Sequence, residues 1–196
     1  MTLTKLDNIF NLIAQALPEL KFYHFGWLQD VNDNNFINNF NTPSTDPNGI
    51  NQRLFPALYF LPPEGEFEAN FKKNPSRNLY NIQLVFTDLE KRTNDGTPTG
   101  KNNSEYYTEL QDIAERFLTV FGEILIKSKG KKGVPPFQFK YEFNSNFAKE
   151  KLVYLMYSFQ FPLSGNDCID VDDIDIDQLV IDVDSVSDTD SLENNY

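Results

Sequence analysis

The sequence predicts an α+β fold: a mainly antiparallel sheet packed by a long amphipathic helix and an N-terminal helix, with an extended acidic C-terminal arm. Three observations predict it. Apolar residues recur at helical spacing in two places, near the start and between residues 104 and 127. Five other stretches are rich in aromatic and β-branched residues, and several alternate with period two. Charge then divides the chain: residues 167–196 hold 11 acids and no Lys or Arg, while the remaining 18 acids face 17 bases in residues 1–166. The acidic balance belongs to the arm. The body, 1–166, is close to neutral, which argues against a broad basic nucleic-acid surface.

Taken in order, Leu3, Leu6, Ile9, Phe10, Ile13, Ala14 and Leu17 form the apolar side of a first helix. Thr4 and Asp7 have capping-box spacing, and Pro18 ends the segment. Residues 22–28 read as an aromatic strand. The stretch 32–51, with eight Asn and two Pro, reads as a long excursion that reaches neighbouring proteins. LFPALYFL (54–61) is a second strand that Pro62 and Pro63 should close, and LYNIQLVFTDL (79–89) is a third.

A hydrophilic loop, 90–103, precedes the strongest helix. Its stripe is Leu110, Ile113, Ala114, Phe117, Leu118, Phe121, Ile124 and Leu125. FQFKYEF (137–143) alternates as a half-buried strand should, and residues 152–163 supply its hairpin partner through Val153, Leu155, Tyr157, Phe159 and Phe161.

The arm, 167–196, alternates Ile169, Val171, Ile174, Ile176, Ile181 and Val183 with Asp. That pattern suits a strand with one apolar and one acidic face, docked on another subunit. Lys127, Lys129, Lys131 and Lys132 would be its basic contact loop. Read alone, this basic cluster is a favourable helix C-terminus.

The chemistry-bearing residues are few. One His (His24) and one Cys (Cys168) leave no disulfide framework, structural zinc site or Cys–His or Ser–His pair within one chain. Gly96-Thr97-Pro98-Thr99-Gly100-Lys101-Asn102 has three residues between its glycines and Asn after Lys, so it fails the P-loop spacing. In the arm, Gln178 stands where a calcium loop requires Gly. His24, within an aromatic strand, reads as a packed ring. No catalytic constellation, metal site or cofactor follows, and no membrane segment: the start lacks an apolar signal core and no run approaches a bilayer span. The protein is expected to be soluble and intracellular at least while it is being made.

The opening LDNIFNLIAQALPELKFYHFGWLQDVN, the strand NLYNIQLVFTDL, the helix ELQDIAERFLTVFGEIL and the closing pair FQFKYEF and KLVYLMYSFQFPL carry a resemblance. In these segments and their order, the body resembles the neck proteins of tailed bacteriophages, of the tail-terminator and tail-completion type, including the ring proteins of crAss-like phages. The resemblance implies a structural virion protein and no enzyme. Copies would form a homo-oligomeric ring that joins or terminates the tail around the DNA channel, against portal, neck or tail proteins. The alternatives from other classes are a small acidic binding or regulatory protein whose tail mimics nucleic acid, and a carboxylate-dependent enzyme using Glu64, Glu66 or Glu68.

Overall fold

The computed structural model describes residues 3–26, 55–67, 78–89, 101–129, 138–147, 152–163 and 175–181. Its elements are α1 (Leu3–Ala16), β1 (Phe22–Phe25), β2 (Ala57–Phe67), β3 (Asn78–Leu89), α2 (Asn103–Lys129), β4 (Lys140–Phe147) and β5 (Leu152–Leu163). A short helical segment, α3, spans residues 176–181. The strands form one sheet in the order β1-β2-β3-β5-β4. Only β1 and β2 are parallel; the other three pairings are antiparallel. The α+β class expected from the sequence is therefore observed.

Alternation builds the face under the helices. On β3, Ile82, Leu84 and Phe86 lie directly opposite Phe159, Tyr157 and Leu155 of β5. On the other side, Leu84 and Phe86 face Phe60 and Leu58 of β2. All of these are buried. Since successive strand side chains point to opposite faces, these residues share one face and present one apolar surface.

Helix α1 lays Leu6, Ile9, Phe10 and Ile13 on that surface, and α2 lays Leu110, Ile113, Phe117, Phe121 and Ile124 there. Phe10 joins the layers, with its ring centroid 5.0 Å from Phe60, 5.6 Å from Phe117 and 5.0 Å from Phe121. Each such pair contributes about 0.5–1.5 kcal/mol beyond area burial. The Arg116 guanidinium on α2 is ion-paired with Glu19, just past the end of α1.

The opposite face carries a smaller cluster: Phe55, Ala57, Tyr59, Leu61 and Val85, with Phe22, Tyr154 and Met156 against it. No residue of α1 or α2 belongs to it.

Four expectations change in detail. Pro62 and Pro63 do not close β2; the strand runs through them to Phe67, and its register on β3 shifts between Leu61 and Glu64. A bulge accommodates residues that lack an N–H for the ladder. Thr4 is inside α1 rather than at its cap, and the Asp7 carboxylate instead accepts a 2.7 Å hydrogen bond from the Tyr23 hydroxyl. Leu118 lies at the rim of the α2 stripe and is only partly buried, whereas Tyr106 and Val120 are buried. The start of α2 is fixed by a capping box whose first residue, Asn102, lies two residues before Ser104. The Asn102 side-chain oxygen accepts from Glu105 N–H at 3.0 Å, and Glu105 accepts from Asn102 N–H at 2.6 Å. Lys101, the lysine of the stretch 96–102, pairs with Glu109 and lies 5.5 Å from the centre of the Tyr106 ring.

The excursion 32–51, the loop 90–100, and Trp27 and Leu28 of the expected first strand lie outside the described residues.

Candidate assembly interface

The two outermost strands of the sheet differ from the three inside it. β4 is hydrogen-bonded to β5 alone among the described strands, and β1 to β2 alone. An edge of this kind is a template for another strand. On β4 and just before it, Phe139 is 38% and Tyr141 62% exposed, while Phe143 is half-buried against Tyr107. The expected strand in 137–143 is therefore only partly right: pairing starts at Lys140 and continues to Phe147, and its aromatic face is largely open.

These aromatic groups are ordered by β5 and α2. Phe139 meets Phe159 at 5.1 Å and Tyr157 at 6.3 Å, and Tyr141 meets Tyr157 at 6.0 Å. The Tyr107 hydroxyl on α2 shares a hydrogen bond with Tyr141. Burial, followed by the negative charge of Glu115, pushes the Tyr157 phenol up to about 12. Phe139 and Tyr141 thus lie on the helix-bearing face beside α2 and keep much of their surface exposed. On the opposite face, the Tyr154 hydroxyl donates to Glu142 at 3.3 Å. Such a row of rings on an edge strand presents apolar area at the margin of the sheet.

At the other edge, Phe25 is 36% exposed and its ring lies 5.1 Å from Phe60, which places it on the same face as Tyr141. Tyr23 is on that face too, locked to Asp7 of α1. Burial first, then the Asp7 hydrogen bond and charge, hold its phenol far above the usual tyrosine range. His24 is packed as expected: its ring stacks on Phe22 at 6.2 Å and meets Tyr59 edge-on at 6.1 Å.

The arm departs most from expectation. Of its six proposed contact residues, Ile169, Val171, Ile174 and Val183 lie outside the described residues. Ile176 and Ile181 fall in α3, so residues 176–181 are helical and not part of a period-two strand. Ile181 is 59% exposed; Ile176 is partly buried, and Leu179 and Val180 are buried in the chain's own main core.

The physical reason is local. The Asp175 side chain accepts from Gln178 N–H at 3.0 Å, and its carbonyl accepts from Leu179 N–H at 3.1 Å, which starts a helical turn. Ile176, Leu179 and Val180 then share one face at spacings of three and four. The legible signal was the break in alternation at Gln178-Leu179-Val180, which the strand pattern passes over.

In the basic loop, Lys127 is exposed near the end of α2 and Lys129 is its last residue. Lys131 and Lys132 lie outside the described residues. Among the described residues no group of three or more His, Cys, Asp or Glu is placed to hold a metal ion. No described helix is long and apolar enough to cross a membrane.

The edges and rings define a class at the level of fold: a single-sheet α+β protein with both sheet edges open among its described strands. No protein-family model matches the chain, and no curated protein sequence matches it.

Proposed function

We propose that this protein is a structural component of a tailed-phage virion. It assembles as a ring in the head–tail neck or at the tail end, and joins or terminates the tail around the DNA channel. Its partners are further copies of itself and adjoining portal, neck or tail proteins, with the DNA passing through the lumen; it performs no catalysis. The resemblance of the body to neck proteins suggests the setting. The observation that carries the reading is the open edge strand β4 with Phe139 and Tyr141 exposed beside a rigid aromatic core.

An edge of this kind is a liability in a free monomer and an asset in an assembly. The exposed Lys127 offers a contact for acidic residues of an adjoining protein. The test is the mass of the purified full chain in solution together with negative-stain images. Discrete rings of one size are expected. A monomer at every concentration up to the solubility limit rejects the proposal.

A further inference from the structure

Strand directions restrict how copies of this sheet can join. β2 and β5 run antiparallel to β3, β4 runs antiparallel to β5, and β1 runs parallel to β2. It follows that β4 points along β3 and β1 points against it. The two edges of the sheet are antiparallel to each other. A neighbour related by rotation about an axis roughly along the strands therefore brings its β1 beside β4 in the antiparallel sense, which a sheet accepts readily.

The side chains agree with the directions. Phe25 at one edge and Tyr141 at the other are both exposed and both lie on the helix-bearing face. When the edges meet, they fall on the same side of the continued sheet, where aromatic cross-strand neighbours attract. Two-fold pairing of β4 with a second β4 would leave both β1 edges open, whereas β4-to-β1 pairing leaves none in a closed ring.

We propose that copies of this chain join head to tail through antiparallel pairing of β4 (Lys140–Phe147) with β1 (Phe22–Phe25) of the next copy, sealed by Tyr141 and Phe25 on the helix-bearing face. The occupant of the open edge is a second copy of the same chain. This inference rests on the ring reading above and specifies its interface.

The experiment uses the full chain with Cys168→Ser, so that added thiols are the only ones. Phe25→Cys and Tyr141→Cys are made on separately tagged copies, expressed alone and together, and treated with a short bismaleimide. A linked dimer carrying both tags is expected from co-expression, and none from either variant alone. Linking of Tyr141→Cys with itself indicates two-fold β4 pairing and overturns the head-to-tail junction.

Tyr141→Lys and Phe25→Lys should each weaken assembly at least about tenfold, by placing charge in the shared aromatic row. Leu12→Lys, at an exposed apolar position on α1, should leave assembly unchanged. Where a Lys variant loses its circular dichroism, the thiol pair decides. Rings of the parent with no mixed-tag link overturn this junction and leave the ring reading standing. A parent that is monomeric throughout overturns both.

Discussion

β4 and β5 are neighbouring antiparallel strands with similar aromatic alternation, and they have opposite fates. On β5, Val153, Leu155, Tyr157, Phe159 and Phe161 are all buried, none more than 6% exposed. Along β4, Tyr141 is 62% exposed and Phe139, one residue before its start, is 38% exposed. Their sequences alone do not separate them. What separates them is position: β5 has strands on both sides and α2 above it, while β4 has one neighbour among the described strands and meets α2 at Tyr107, which leaves Tyr141 largely exposed. Alternation reports that a segment has an apolar face; the layer above decides whether that face is satisfied within the chain.

The largest effect expected from this contrast is at Phe159, whose ring contacts Phe121 and Phe139. Phe159→Ala should cost about 3–5 kcal/mol, a transfer loss plus a cavity, whereas Tyr141→Ala should cost less than about 1 kcal/mol in the dissociated chain. Urea denaturation of the two variants measures the difference. Equal losses would remove the distinction between inner and edge strand.

A second, smaller effect concerns the buried phenols. Tyr23 and Tyr157 both ionise above the ordinary value of 10.0, Tyr157 at about 12. Below that ordinary value folded and unfolded chains hold the same phenolic protons. As pH rises through it, the unfolded chain releases protons that the folded chain retains, so stability falls with rising pH. Urea midpoints should drop as pH rises from about 10 to about 12, and the drop should be shallower in Tyr23→Phe and in Tyr157→Phe. Tyr23→Phe also removes the hydrogen bond to the Asp7 carboxylate, costing about 1.5–3 kcal/mol near neutral pH. An unchanged alkaline slope in both variants would show that these phenols do not hold their protons.

The smallest effect tests how α2 is held over β5. Asn102→Ala removes the side-chain acceptor for Glu105 N–H and should cost about 1 kcal/mol. Thermal unfolding would register it as a lower midpoint. Asn102→Asp, which keeps the acceptor, should restore most of the loss.

Several elements were legible because they depend on local periodicity. The apolar faces of α1, β3, α2 and β5 can be counted along the chain, and most of the counted residues are buried. The misreadings share a cause. Leu118 satisfies the helical stripe yet sits at its rim, because the angle at which α2 crosses the sheet is not encoded in spacing. Asp175 fits the alternation as one more acid, although its side chain caps a helical turn that turns Leu179 and Val180 into the body. The exposed row on β4 was expected to be half-buried because the sequence does not state which strand is outermost.

The sequence by itself determined the composition of the layers in the body: which of its segments are helix or strand, which of their faces are apolar, and where the acidic run starts. Periodicity and charge are properties of neighbours along the chain, so they are readable there. The tertiary structure decided the order β1-β2-β3-β5-β4, and with it which apolar faces are enclosed and which aromatic groups remain open at an edge. That order depends on pairing between segments far apart in the chain. Tyr141 and Phe25 lie at opposite edges of the sheet on one face, and no local pattern brings them into relation.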